Sequence, residues 1–185
     1  MDKKELRHQL REKLAAFPKT EAALFDTQII SSFLTTQVFM PHTNIACYMP
    51  LKGEVGVMPI LQALTDKGHQ VCLPAVVGRD LPMVFLQYKI GDKLLRGKMG
   101  ALEPEMDTRQ IIPDVLVIPM MGFNRKKYRL GYGSGYYDRT LEELRRLKSV
   151  HTIGLAYSFQ EVAELEGEAH DVPLDIIITE KEIIT

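Results

Sequence analysis

Val115-Leu116-Val117-Ile118-Pro119 is an unbroken apolar run of strand length. It leads into Phe123-Asn-Arg-Lys-Lys-Tyr-Arg-Leu-Gly-Tyr-Gly-Ser-Gly-Tyr-Tyr-Asp-Arg139. A run without polar alternation reads as a strand covered on both faces, as in the interior of a parallel sheet. A helix from Gly135 to Leu147 follows it. Working outward, Ile45–Met49 (closed by Pro50), Val71–Pro74, Met83–Tyr88, Val150–Tyr157 and Asp175–Thr179 read as further strands. Leu6, Leu10, Leu14 and Phe17 recur at helical spacing and predict a helix over 2–17, stopped by Pro18. A second helix is expected over 20–38, with Leu24, Ile29, Phe33 and Leu34 as core candidates and Pro41 ending the region. A third spans Val57–Lys67, with Gly68 as its stop. Gly91–Asp107 is polar, glycine-rich and poorly periodic, so it reads as loop. Short apolar strands alternating with helices predict an α/β domain with a mostly parallel sheet. Ligands of such a sheet lie beyond the carboxyl ends of its strands. The segments to inspect follow Met49, Pro74, Pro119, Tyr157 and Thr179.

The chain has 185 residues, enough for about one domain with its own core. Hydrophobic residues make up 45% and charged residues 25%, which excludes disordered, collagen-like and coiled-coil classes. The net charge of -1 lacks the basic excess of a dedicated nucleic-acid binder. Cys47 and Cys72 each sit in an apolar run and read as reduced core residues of a cytoplasmic protein. The opening Met1-Asp-Lys-Lys-Glu5 is charged rather than a signal segment. The longest uncharged stretch, Val115–Phe123, is too short to span a bilayer. Neither a membrane nor a nucleic acid is expected as partner.

Gly131, Gly133 and Gly135 alternate directly before the helix that starts at Gly135. Glycines admit positive φ and close approach of a ligand to the main chain. A helix start adds free N–H groups and the positive end of its dipole, which together hold anions. Arg125, Lys126, Lys127 and Arg129 supply positive charge just upstream, and arginine can grip phosphate oxygens with two prongs. The segment reads as a polyphosphate cradle. It is neither a dinucleotide fingerprint, since Tyr136 stands where the third glycine would fall, nor a P-loop, since Gly-Lys-Ser/Thr is missing. A solvated glycine-rich turn is the competing reading. Asp138 weighs for the cradle, because Mg²⁺ typically joins one or two carboxylates to phosphate oxygens. As a first-turn acid, Asp138 equally suits the helix dipole.

Tyr128-Arg-Leu-Gly-Tyr-Gly-Ser-Gly-Tyr-Tyr-Asp-Arg139 resembles the ATP-binding signature of the 5-formyltetrahydrofolate cyclo-ligase family, Arg-x-Gly-x-Gly-x-Gly-Tyr-Tyr-Asp-Arg. The similarity extends over nearly the whole chain. Lys3-Lys-Glu-Leu-Arg7, Tyr48-Met-Pro-Leu-Lys-Gly-Glu54, Gly100-Ala-Leu-Glu-Pro104, Gly154-Leu-Ala-Tyr157 and His170-Asp-Val-Pro-Leu-Asp175 resemble further family blocks. The resemblance implies a single-domain, three-layer α/β sandwich of the NagB/RpiA/CoA-transferase-like type, its sheet flanked by helices. It also implies a reaction: 5-formyltetrahydrofolate and MgATP give 5,10-methenyltetrahydrofolate, ADP and phosphate. The formyl oxygen attacks the γ-phosphate, N10 attacks the activated carbon, and phosphate departs. Positioning and charge neutralisation suffice for such chemistry. No Ser/His/Asp or Cys/His pattern suggests a side-chain nucleophile.

Carried over by position, the resemblance implies that Lys3, Lys4, Arg7, Arg129, Leu130, Gly131, Tyr132, Gly133, Ser134, Gly135, Tyr136 and Tyr137 bind ATP. Arg129, Tyr136 and Asp138 would act at the reacting atoms. Asp138 and Asp171 would hold Mg²⁺, and Met49, Glu54 and Tyr136 would contact the folate. Each has a plainer reading by itself. Lys3, Lys4 and Arg7 can be a solvated helix face, and Asp171 a turn residue before Pro173. Met49 can be strand-end core, Glu54 a surface acid, and Tyr136 and Tyr137 packing. Glu103 is a site neighbour without a derived role. Three positions depart from the family pattern: Asn124 for a frequent Asp, Lys127 for a frequent Gly, and Ser134 for a frequent Gly. A monomer acting on two small molecules is expected. A nucleotide- or folate-binding regulator without turnover is the alternative, and it has no need of a metal carboxylate beside the cradle. A sugar-phosphate isomerase shares the architecture, but no residue here is nominated as its base.

Overall fold

Asp2 starts the first helix: its side chain accepts from the Glu5 N–H, satisfying one of the unpaired amides of the first turn. The computed structural model describes residues 2–36, 44–167 and 171–185. Helix α1 (Lys3–Ala16) buries Leu6, Leu10 and Leu14, and Phe17 with Pro18 ends it. Helix α2 (Lys19–Thr35) buries Ile29 and Phe33. The expected residues 37 and 38 of this helix, and Pro41, lie outside the described residues. Leu24 is not core. It lies five residues before Ile29, about 140° round the helix, and is 56% exposed. Leu34 is only partly buried.

Strand β1 (Asn44–Ala46) leads to helix α3 (Met58–Asp66) and strand β2 (Gln70–Ala75). Gly68 closes α3 with a positive φ of 81°. Strand β3 (Val84–Gln87) returns antiparallel along β2. Residues 91–107, read as loop, contain a hairpin of β4 (Leu94–Arg96) and β5 (Leu102–Pro104). Strand β6 (Val115–Pro119) precedes a second small hairpin of β7 (Gly122–Phe123) and β8 (Arg129–Leu130). Helix α4 (Tyr136–Leu147), β9 (His151–Leu155), a 3₁₀ turn over Ser158–Gln160, β10 (Ile176–Ile178) and β11 (Ile183–Ile184) complete the chain.

The main sheet runs β11-β10-β9-β6-β1-β2-β3, parallel except for its two edge strands. Alternation within β6 explains its apolar composition. Val115 and Val117 pack with Ile29, Phe33, Ile60 and Leu64 of α2 and α3, whereas Leu116 and Ile118 pack with Leu141 and Leu144 of α4. The result is a three-layer α/β sandwich. Each fully buried aliphatic side chain in such layers contributes about 1.5–3 kcal/mol. A third cluster joins Leu6 and Leu10 of α1 to Met121, Leu130 and Leu165.

The strand order places the site. From β1 the chain proceeds to β2 on one side, and later to β6 on the other. The carboxyl ends of β1 and β6 therefore flank the point where the winding reverses, the position at which such sheets leave a crevice. Among the described residues, no helix is long and apolar enough to cross a membrane.

Candidate active site

A cavity of 380 Å³ opens at that reversal. Lys3 and Arg7 of α1 line it, with Met49 and Glu54 after β1, and Pro119 at the end of β6. Residues 129–138 supply a continuous wall, and Asp171 closes one side. Val76, Met83 and Leu102, the last from the β4–β5 hairpin, add apolar lining, and Glu103 of the same hairpin joins them.

The glycine loop is held from both ends. Arg7 Nε donates to the Gly131 carbonyl at 2.8 Å, and Arg139 Nη2 donates to the Ser134 carbonyl at 2.8 Å. Gly133 and Gly135 have φ of 102° and 69°, a region that side chains disfavour. A Cβ on Gly135 would come within 2.7 Å of the Arg139 guanidinium, whereas one on Gly131 would meet nothing within 4 Å. Helix α4 begins at Tyr136, and its first internal bond is Arg139 N–H to the Gly135 carbonyl. The amides before it point toward the cavity end of the helix, where an anion is favoured.

Two cation–carboxylate pairs stand beside the loop. Arg129 Nη2 donates to Asp138 Oδ1, and Lys3 Nζ to Asp171 Oδ2 at 2.9 Å. The Arg129 side chain is 5% exposed and that of Asp138 39%. Burial lowers the Arg129 pKa, while the charges of Asp138 and Asp171 push it up, and guanidinium stays protonated throughout.

Glu54, on the loop after β1, lines the same cavity. Its Oε1 accepts from Tyr132 Oη at 2.7 Å and its Oε2 from the Leu51 N–H at 2.7 Å. Burial raises its pKa, and the two hydrogen bonds oppose that rise. Burial also pushes the Tyr132 and Tyr137 hydroxyls up, with Glu54 adding to both. Met49 is 8% exposed, so it serves the core as well as the wall. Tyr137 packs against the α4-side core, and the Arg139 guanidinium lies over the Tyr136 ring, 5.1 Å from its centre.

These features match known proteins over nearly the full chain. The profile of the 5-formyltetrahydrofolate cyclo-ligase family matches residues 1–180. The chain belongs to this family. The 5-formyltetrahydrofolate cyclo-ligase of Mycoplasma pneumoniae is 34% identical over 185 residues, covering 98% of this chain and 100% of that one. The enzyme of that name from Escherichia coli K12 is 32% identical over 154 residues, covering 79% of this chain and 82% of its own. The solution structure of Aquifex aeolicus 5,10-methenyltetrahydrofolate synthetase superposes with a TM-score of 0.83 at 30% identity, covering 99% of this chain and 92% of that one.

Against the cyclo-ligase pattern, the structure brings together all the site residues named from sequence except Lys4. Lys3 and Arg7 share one face of α1 and reach the wall; Lys4, about 100° further round, is exposed and does not line the cavity. His170 lies outside the described residues. Asn124 explains its own departure from Asp. Its Nδ2 donates to the Leu165 carbonyl at 2.6 Å, a bond an ionised carboxylate cannot make, and its Oδ1 accepts from the Tyr128 N–H. Lys127 occupies the left-handed region with φ of 65°, where a glycine would be relaxed. Ser134 leaves the loop turn intact, and its carbonyl is the Arg139 acceptor.

Sequence reasoning overlooked Arg139 and Thr140. Buried Thr140 donates to the Tyr136 carbonyl and accepts from the Met83 N–H at 2.9 Å, tying the helix start to the apolar wall. It also overlooked Leu102 as cavity lining. Gly97 and Gly100, which close the β4–β5 turn, were the available hairpin signal. Glu103 does face the cavity, and burial raises its pKa.

Proposed function

We propose that this cavity carries out the ATP-dependent cyclisation of 5-formyltetrahydrofolate to 5,10-methenyltetrahydrofolate, releasing ADP and phosphate. The observation that carries the reading is that the glycine loop, with Arg7 and Arg129, opens onto the same cavity as Glu54 and Met49. One end suits a polyphosphate and the other a flat hydrogen-bonding ring.

The loop amides and Arg7 hold the triphosphate, with Lys3 at the edge and Lys4 in reserve on the outer face of α1. Glu54 accepts from the pterin N–H groups, Met49 packs on its face, and the Tyr136 ring borders both ligands. So held, the formyl oxygen attacks the γ-phosphorus and the bond to the ADP oxygen breaks. N10 then attacks the formyl carbon, losing its proton, and the phosphorylated oxygen leaves as phosphate. Alignment supplies much of the acceleration, and Arg129 adds fixed positive charge where the transferring group gathers negative charge.

The donor chemistry fits Mg²⁺. Asp138 and Asp171 are hard oxygen donors on the same wall, and among the described residues no three His, Cys, Asp or Glu side chains converge into a complete cage. Such a partial set suits a cation shared with phosphate oxygens. When bound, Mg²⁺ would neutralise phosphate charge. Covalent catalysis by cysteine has no support: Cys47 and Cys72 are buried, and burial pushes the Cys47 thiol up to about 12.

We take the chain as a cytoplasmic monomer and assign the sandwich to the NagB/RpiA/CoA-transferase-like fold on its parallel β2-β1-β6-β9-β10 order. Purified protein with 5-formyltetrahydrofolate and MgATP should form the methenyl chromophore with one ADP per product, and chelation of Mg²⁺ should stop it. Absence of chromophore under acid-protected conditions would overturn the assignment.

A further inference from the structure

Tyr132 lies between two glycines of the nucleotide loop, yet its hydroxyl is spent on the loop that follows β1. It donates to Glu54 Oε1 at 2.7 Å, across 78 positions of sequence. The Leu51 N–H holds the second carboxylate oxygen. A carboxylate has about four acceptor sites, so two bonds fix its orientation and leave sites for ligand donors. The Tyr132 ring packs against the cluster containing Leu6 and Leu10 of α1. The same helix sends Arg7 Nε to the Gly131 carbonyl, one residue before Tyr132. Gly133, one residue after, has a φ of 102°. The tyrosine is thus a rigid element set in a permissive backbone, with one end on the nucleotide loop and the other on Glu54.

We propose that Tyr132 couples the two subsites: its hydroxyl transmits the setting of the glycine loop to the Glu54 carboxylate, so that nucleotide and folate each tighten the binding of the other. The proposal rests on the reading that the loop receives ATP and Glu54 the pterin. A ligand that resets the loop carries Tyr132 and, through it, the carboxylate, so the second ligand meets a site already set. Linkage requires the effect to be equal in both directions. Burial of Glu54 and Tyr132 strengthens the bond between them, because the surroundings screen it poorly.

The test is calorimetric titration of 5-formyltetrahydrofolate with and without a saturating non-hydrolysable MgATP analogue. In the wild type the analogue should tighten folate binding by about 5-fold or more. In Tyr132→Phe, which removes one oxygen, that ratio should fall to about 1. A purely structural role for Tyr132 would lower the melting temperature and leave the ratio alone. An unchanged ratio in Tyr132→Phe, or no ratio in the wild type, overturns the coupling. Glu54→Gln separates the coupling from the reading beneath it. If that variant binds folate with wild-type affinity, the folate assignment of Glu54 fails and the coupling with it. If it binds folate about ten-fold more weakly while Tyr132→Phe keeps the ratio, the coupling alone fails. A measurement on the wild type needs no substitution: folate without nucleotide should slow amide hydrogen exchange over residues 131–135, and unchanged exchange overturns the proposal.

Discussion

Arg129 and Asp138 form one ion pair, but they are held unequally. The arginine side chain, on β8, is 5% exposed, and the aspartate, in the first turn of α4, is 39% exposed. Arg129 also reaches the Val172 carbonyl at 3.4 Å. The cation is therefore fixed by the fold, while the carboxylate is a half-open donor that can turn toward a second positive charge. A polyphosphate arriving with a metal ion would find one fixed partner two residues before the glycine loop and one adjustable partner three residues after it.

That asymmetry makes Asp138→Asn informative. The amide keeps size and can still accept from Arg129, but it loses the charge a metal needs. Turnover should fall by about 100-fold or more, equivalent to roughly 3 kcal/mol of transition-state stabilisation. The KM for folate should change far less. Steady-state kinetics at saturating Mg²⁺ checks this, and unchanged turnover would remove Asp138 from the reacting centre.

Two glycines separate ligand contact from backbone strain. Gly131 has open space around a hypothetical Cβ and no positive φ, so Gly131→Ala should leave the melting temperature nearly unchanged. If phosphate lies close to this backbone, the added methyl should still raise the KM for ATP by about ten-fold. Gly135→Ala carries both effects, because φ is 69° and Arg139 lies in the way. It should lose about 1–2 kcal/mol of stability as well as nucleotide affinity. Thermal denaturation beside ATP kinetics distinguishes the two. A Gly131→Ala variant with a wild-type KM for ATP would place the phosphates elsewhere.

Glu54 sets a pH dependence. Burial, the largest influence on it, raises its pKa above the ordinary 4.5. If Glu54 accepts from the pterin as proposed, its ionised form accepts more strongly, so folate affinity should fall as pH drops through the raised value, and Glu54→Gln should flatten that dependence. Stability moves the opposite way. Between 4.5 and the raised value the native chain holds a proton that the unfolded chain has released, so stability falls as pH rises through this window. Relative to wild type, Glu54→Gln should therefore gain stability as pH rises through the window. Chemical denaturation below and above it checks the sign; the reverse trend would mean that the hydrogen bonds outweigh burial.

Much of this arrangement could be read from the residues, for identifiable reasons. Val115–Pro119 announced a doubly covered strand because both its faces meet helices, and the three alternating glycines do lead into one. The β4–β5 hairpin was hidden because Leu95 and Leu102 are 45% and 44% exposed, so no alternation of buried and open positions marks it. Strands β7 and β8 have two residues each, too few to show a period. Leu24 was misjudged because residue type suggested a core role that the rotation of the helix denies. The Tyr132–Glu54 bond had no local signal, since it depends on how the β1 and β6 ends meet.

Lys127 offers a check on the fold rather than the chemistry. Its φ of 65° places a side chain in the left-handed region, and its Nζ reaches the Asp175 carbonyl at 3.2 Å. Lys127→Gly should cost little, because relief of strain offsets the lost contact and the greater freedom of the unfolded chain. Lys127→Val should lose about 1–2 kcal/mol, since branching at Cβ worsens the clash. Urea titration of both variants is sufficient, and equal losses would argue against the left-handed turn.

The most direct test of the account is a crystal structure with a non-hydrolysable MgATP analogue and 5-formyltetrahydrofolate bound together. The γ-phosphate should lie against the amides of residues 131–135, the pterin on Glu54, and the formyl oxygen within about 3.5 Å of the γ-phosphorus. A triphosphate seated away from the glycine loop, or a pterin that does not touch Glu54, would contradict it.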